Sequence, residues 1–206
     1  MEYIQNRTNW CWTAACKAVG ERYKQNHTGF TFHPMPGIKE VPACSLEGLR
    51  TDVVKKVNGL YLVDAWQHAV AAHADDLHGG REGNFPGDDE MKIRGLRYVV
   101  TGDCESPLVQ AVTLGNYDSA DSLLDSHGRE IERVFKKKEY LIGNAILYPR
   151  GLCHSFVLLE WKEDGSIVLF DPWDGSTGRY GAEEVFYTGF LSAGGSGIVK
   201  WVQYIV

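Results

Sequence analysis

Cys11 stands between Trp10 and Trp12, and Gln5 precedes it by six positions. Far along the chain, His154 opens the apolar run HSFVLLEW, and Asp171 closes the run SIVLFD seventeen positions later. A thiol, an imidazole, a carboxylate and a carboxamide are the parts of a covalent acyl-transfer site. A cysteine at a helix N-terminus meets unpaired N–H groups and the positive end of the helix dipole, which favour thiolate over thiol. A histidine takes the thiol proton and later hands it to a leaving amine. An aspartate accepting from the imidazole Nδ1–H fixes the tautomer. A glutamine amide, beside the Cys11 backbone N–H, offers donors to a developing oxyanion. Trp173, two positions past Asp171, is placed to lie over the His–Asp pair and keep water off it.

Those residues need elements that carry them together. From Asn9 to about Gln25, apolar residues recur at three- and four-residue steps, which predicts a helix with Cys11 at its head and Thr8 or Asn9 as cap. Residues 26–44 read as a Gly- and Pro-containing loop. Ser45 to Val57 reads as a second helix, with Gly59 just past its end, and Val63 to Ala74 as a third. The polar, glycine-rich stretch 78–90 reads as a loop. Arg97 to Thr101 reads as a short strand and Ser119 to Lys137 as a charged helix, with Lys136, Lys137 and Lys138 complementing its C-terminal end. Then YLIGNAILY, HSFVLLEW, SIVLFD and IVKWVQYIV carry strand signals. Asp164-Gly165 between the second and third predicts a hairpin, which brings the outer ends, His154 and Asp171, near one another. Pro172 then ends the strand. The predicted fold class is α+β: a helical N-terminal half with the nucleophile helix, 1–95, and an antiparallel sheet half with the His and Asp, 96–206. There is no internal repeat and no low-complexity segment.

With 206 residues and 44% hydrophobic content the chain can build a substantial core, and its net charge of -6 argues against nucleic acid as partner. No apolar run reaches the length of a membrane span, and MEYIQNRTNW lacks the basic and apolar regions of a signal peptide, which predicts synthesis in the cytoplasm. Cys11, Cys16, Cys44, Cys104 and Cys153 form no CxxC pair and read as mostly reduced thiols without a zinc site.

Taken singly, each candidate has a structural explanation. A cysteine in an apolar helix packs in a core, an Asp before Pro forms a turn, and Trp10 and Trp12 fill space. Their conjunction and spacing favour chemistry. Other groupings are weaker. Asp64, His68, His73 and His78 suggest a metal, but His68 and His73, five apart, do not share a helix face well. His27 and His33 flank a loop and read as exposed. Cys153 points to the opposite face from His154 and reads as core. Asp174 is the second choice for the orienting carboxylate, beyond the Pro172 kink.

Gln5, Cys11 and Trp12, with His154 opening a strand and Asp171 followed by Trp173, resemble the papain family of cysteine peptidases. Papain's orienting residue is Asn, and Asp171 departs from that. HSFVLLEW and VLFDPWDG are instead similar to the bacterial branch, which includes bacteriocin-leader peptidases and effector proteases of plant pathogens with the phrase TNWCW, here Thr8 to Trp12. The resemblance covers both ends of the chain and says little about residues 26–95. It implies a helical half and a sheet half with the site in the cleft between them. It further implies peptide or protein substrates, no cofactor, and either peptide processing or delivery to another cell as an effector or toxin. Only four residues precede Gln5, which leaves open control by substrate access, removal of an upstream part, or a longer toxin. The expected activity is peptide hydrolysis through a thioester on Cys11. Deamidation or acyl transfer by the same thioester, and a non-catalytic binding module of the same fold, are the alternatives.

Overall fold

The computed structural model describes residues 4–28, 37–42, 48–75, 86–149, 151–192 and 195–206. The chain is α+β. In order, the elements are α1 (Cys11–Asn26), β1 (Ile38–Pro42), β2 (Lys55–Val57), β3 (Leu60–Asp64), α2 (Ala65–Ala74), α3 (Asp89–Thr101), β4 (Ala111–Gly115), α4 (Leu123–Lys136), β5 (Leu141–Tyr148), β6 (Leu152–Trp161), β7 (Ser166–Phe170), β8 (Thr177–Gly181), a π-helical turn (Glu184–Thr188), β9 (Phe190–Ser192) and β10 (Gly195–Ile205). A small sheet has order β1-β3-β2, and a seven-stranded sheet runs β4-β10-β5-β6-β7-β8 with β9 also on β10. All the strand pairs are antiparallel.

The large sheet is buried on both faces, which is why its strands read as nearly continuous apolar runs. One face, with Ile142, Val157, Phe170 and Ile205, packs against α1, α2 and α3 through Trp12, Cys16, Val19, Val70, Leu96 and Val99. The other, with Leu141, Phe156, Leu158 and Ile167, is covered by α4 and by Val185, Phe186 and Phe190. The α1–α3 crossing is close because glycine stands at the contact. A Cβ on Gly95 would lie 2.9 Å from Cys16 Sγ, and one on Gly20 2.4 Å from Val99.

Several sequence expectations change. The helix read over Ser45 to Val57 is absent where the chain is described: residues 51–54 form turns and Lys55–Val57 is strand β2. Asn58 and Gly59 adopt φ 50° and 84°, and Val57 pairs with Leu60. Asn58-Gly59 is thus a two-residue hairpin turn needing positive φ at both positions, and Gly59 caps no helix. The third helix starts at Ala65, not Val63, because Asp64 is its N-cap and accepts from Trp66 N at 2.9 Å. Part of the 26–44 loop is strand β1; residues 29–36 and 43–47 lie outside the described residues. Of the 78–90 loop, 78–85 lie outside them too, and Asp89 and Glu90 begin α3. Arg97 to Thr101 is the end of α3 rather than a strand. Asp88 caps that helix at Met91 N, 2.7 Å, and Gly102 closes it at φ 78°. Its β-branched Val99-Val100 pair is held helical by burial against α1, a tertiary override of local preference. The first half therefore holds a three-stranded sheet as well as helices, and position 95 falls inside α3. Among the described residues no helix is long and apolar enough to cross a membrane.

Candidate active site

The segment before α1 is pinned on two sides. Gln5 N donates to Pro172 O at 2.7 Å, Thr8 N to Gly48 O at 2.9 Å, and Arg50 N to Asn6 O at 2.9 Å. Arg7 bridges to Leu49. Trp10 is fully buried, with the Arg7 guanidinium 4.5 Å over its ring and His68 edge-on at 4.8 Å. The helix then opens at Cys11 with Trp10, rather than Thr8 or Asn9, at the N-cap position and with no cap from the Trp10 side chain. That leaves the N-terminal turn directed at the half-buried Cys11. Trp12, buried beside it, forms a wall against which Gly87 lies so closely that a Cβ there would sit 2.4 Å from the indole.

His154 and Asp171 come together through the β6–β7 hairpin. Its register pairs Val157 with Phe170, so His154 sits a few rungs from Asp171, within side-chain reach. His154 Nε2 donates to Asp171 Oδ1 at 2.7 Å, and the Trp173 backbone N–H donates to the same oxygen at 2.8 Å. Both side chains are buried, and Phe156 stands edge-on to the imidazole at 4.5 Å. The expectation that Asp171 would hold Nδ1 is thus corrected to Nε2, which leaves Nδ1 for the sulfur. Cys11, His154 and Ser155 line the same cleft, and the imidazole and the Ser155 backbone N–H both act to lower the thiol pKa.

The electrostatics follow from these contacts. Burial by itself raises the thiol pKa, but the His154 charge and hydrogen bond, the Ser155 N–H and the Lys92 charge outweigh it and hold Cys11 at about 7. Burial acts downward on His154, while the Cys11 charge and the hydrogen bond to Asp171 lift it to about 10. The two titrate as a pair. Below about 7 the thiol regains its proton, and above about 10 the imidazolium loses one. The reactive thiolate–imidazolium pair therefore fills the window between them. Turnover against pH is expected to plateau across that window, and iodoacetamide should alkylate Cys11 with a midpoint near 7, checked by peptide mass spectrometry across a pH series.

The sequence-derived supporting residues fare differently. Trp173 lines the cleft and is 36% exposed, but no ring contact places it over the imidazole. Instead Arg50 lies 4.2 Å over the indole and donates to the Trp173 carbonyl. The part of Trp173 that meets the site is its backbone N–H. Asp174 does not touch His154; its Oδ1 accepts from Ser176 N at 2.8 Å and shapes the turn. Cys153 is exposed and lines the cleft, not the core, because β6 is exposed over its first two residues. The cleft, about 230 Å³, is lined by Trp12, Pro86, Gly87, Leu147, Leu152 and Trp173.

Gln5 departs most from expectation. It is fully buried, and its Nε2 donates to Arg7 O at 2.8 Å and Thr8 O at 2.9 Å. Two carbonyls demand the NH₂ group on that side, so both donors hold the turn that enters α1 rather than the cleft. Among the described residues no donor meets its Oε1. Gln5→Glu is therefore expected to destabilise the fold by ~3 kcal/mol at neutral pH, since a buried carboxylate would face two carbonyls. Folding would force a proton onto that carboxyl and raise its pKa, so the loss grows as pH rises above about 4, and below that only the cost of one missing donor remains. Urea unfolding at two pH values checks this; lost turnover with unchanged stability would instead mark a pure oxyanion donor.

The metal grouping does not assemble. Asp64 caps α2 and pairs with Lys17 at 2.6 Å, His68 packs on Trp10, and His73 stacks on Tyr98 at 4.6 Å; His78 lies outside the described residues. Among the described residues no group of three or more His, Cys, Asp and Glu side chains could hold a metal ion. His27 is not a free loop residue: it pairs with Glu139 at 3.0 Å and stacks on Tyr23. His33 lies outside the described residues. Missed from the sequence were Arg50, the Ser155 backbone and Lys92. No local pattern marks them, since each reaches the site from a separate element.

The structure is an α+β protein in which Cys11 and His154 line a cleft and Asp171 is hydrogen-bonded to His154, a set of groups able to support nucleophilic chemistry. No family model matches the chain, and neither does any curated protein or solved structure.

Proposed function

We propose that the protein is a papain-like cysteine peptidase. The observation that carries this is the His154–Asp171 pair set in one cleft with Cys11, the sulfur standing at the head of α1. The Cys11 thiolate attacks a peptide carbonyl, and the carbonyl π electrons move onto oxygen. The Cys11 backbone N–H at the helix N-terminus supports that oxyanion. The imidazolium of His154 gives its proton to the leaving amine as the C–N bond breaks. A water then adds to the thioester with His154 taking its proton, and the acid departs as the thiolate re-forms. Asp171 keeps the ring oriented and supports its charge throughout. Nothing in these steps calls for a cofactor. The resemblance of TNWCW and VLFDPWDG to bacterial processing and effector peptidases supports a peptide or protein substrate and a role in peptide processing or in another cell.

The test is mass spectrometry of a proteome-derived peptide library incubated with the protein, with Cys11→Ala as control. New termini that vanish in the variant support the proposal, and their flanking residues give the specificity. Rapid alkylation of Cys11 with no new termini would turn the assignment to deamidation or acyl transfer.

A further inference from the structure

The sheet face packed on α1 and α3 is apolar except for one line of polar side chains. Ser155 on β6, Asn144 on β5 and Gln203 on β10 are 2%, 0% and 0% exposed, beside Ile142, Val157 and Ile205. Buried polar groups are costly unless fully partnered, and these are linked end to end. Ser155 Oγ donates to Asn144 Oδ1 at 2.9 Å, and Asn144 Nδ2 to Gln203 Oε1 at 2.6 Å. Gln203 Nε2 donates to Asp89 Oδ1 at 2.7 Å, joined there by Trp201 Nε1 at 2.7 Å. Asp89 heads α3, and one turn on lies the Lys92 ammonium, 3.8 Å from Asp89 Oδ1 and 5.6 Å from the Trp201 ring. The Lys92 side chain is 2% exposed, whereas that of Asp89 is 49% exposed. A buried cation is therefore balanced by a loose ion pair with a half-solvated carboxylate, and part of its field acts inside the protein. At the other end of the line, Ser155 lines the cleft with Cys11, and its backbone N–H is among the groups that lower the thiol pKa.

We propose that the line Ser155–Asn144–Gln203–Asp89, ending on Lys92, is a positioning and charge-setting device for the Cys11 thiolate. It fixes Ser155, which lines the cleft with Cys11 and His154, and it anchors a buried positive charge on α3 whose field acts on the thiol. Asn144 and Gln203 act as positioning residues, and Lys92 acts through its field. The proposal rests on Cys11 being the reacting thiol, though not on its substrate. The charged and titratable groups around that thiol are His154 and Cys153 from β6, Lys92 and Asp89 from α3, Cys16 from α1, and Asp171 behind the imidazole.

The device is separated from ordinary core packing by sign. Lys92→Met keeps the length of the side chain and removes the positive charge, so the Cys11 midpoint should rise by about half a pH unit or more. Asp89→Asn keeps the acceptor for Gln203 and Trp201 but frees the Lys92 field, so the midpoint should fall. Asn144→Leu should slow Cys11 alkylation at pH 7 by severing the link to Ser155. The readout is peptide-resolved iodoacetamide labelling across pH, which needs no peptide substrate. Midpoints moving the same way in Lys92→Met and Asp89→Asn, or not moving in either, overturn the proposal. Unfolding would expose buried Cys16 to the reagent. In that case the Asp89→Asn arm decides alone, and a midpoint that stays or rises overturns it. A Cys11 that labels with these shifts yet cleaves no peptide would count against the peptidase function and not against the device.

Discussion

Cys11→Ala is expected to lower peptide cleavage on the order of 10⁶-fold while leaving the fold intact. The size follows from what the sulfur does: without it no thioester forms, and the rest of the constellation can only position a water. Residual turnover would come from the helix N-terminus and substrate binding alone. The fold should survive because Cys11 is the first residue of α1, is only half-buried, and is replaced by the best helix former. Cleavage assays on the wild type and the variant, with thermal unfolding of both, check each half of this. Turnover within tenfold of wild type in Cys11→Ala would remove the thiol from the mechanism.

Asp171→Ala is expected to lower kcat by about 10³-fold, the scale of losing a positioned proton carrier, and Asp171→Asn by clearly less. Asp171 Oδ1 accepts from both His154 Nε2 and the Trp173 N–H. Two donors converge on one oxygen, so an asparagine must turn its own oxygen toward them. The imidazole then keeps its orientation and tautomer and loses only the charge behind it. Alanine removes the acceptor for both donors. The ring is no longer held toward the sulfur, and the buried Trp173–Asp171 link that shapes the loop after β7 is lost. Both variants should also bring the upper limb of the pH profile down from about 10, because the hydrogen bond and charge of Asp171 help raise His154. Steady-state kinetics of both variants between pH 6 and 11 check it. Equal losses in the two would mean that charge rather than orientation is the contribution of Asp171.

Much of the scaffold was legible in the linear sequence because its signals are local. The three- and four-residue recurrence from Trp12 to Tyr23 marks an amphipathic helix, and the structure forms it over Cys11–Asn26. The β-branched runs joined through Asp164-Gly165 mark a hairpin, and it forms with Gly165 at φ 82°. Elsewhere a competing local signal or a tertiary contact prevails. Asn58-Gly59 is a hairpin turn, and that signal outweighs the helix end that Gly59 suggests. The Val99-Val100 pair looks like strand, but the docking of α3 against α1 at Gly95 and Gly20 keeps it helical.

The sequence by itself determined which residue types were available and roughly where each would stand: a thiol heading a helix, an imidazole and a carboxylate on one hairpin, and an α+β chain around them. Those follow from periodicity, caps and turns, which act over a few residues. Only the tertiary structure decided the ring nitrogen that meets Asp171, the inward use of the Gln5 amide, the exposure of Cys153 and the burial of Lys92 near the sulfur. Each depends on atoms contributed by elements tens of residues apart, and hydrogen-bond direction and burial are properties of the packed arrangement. No spacing along the chain encodes them.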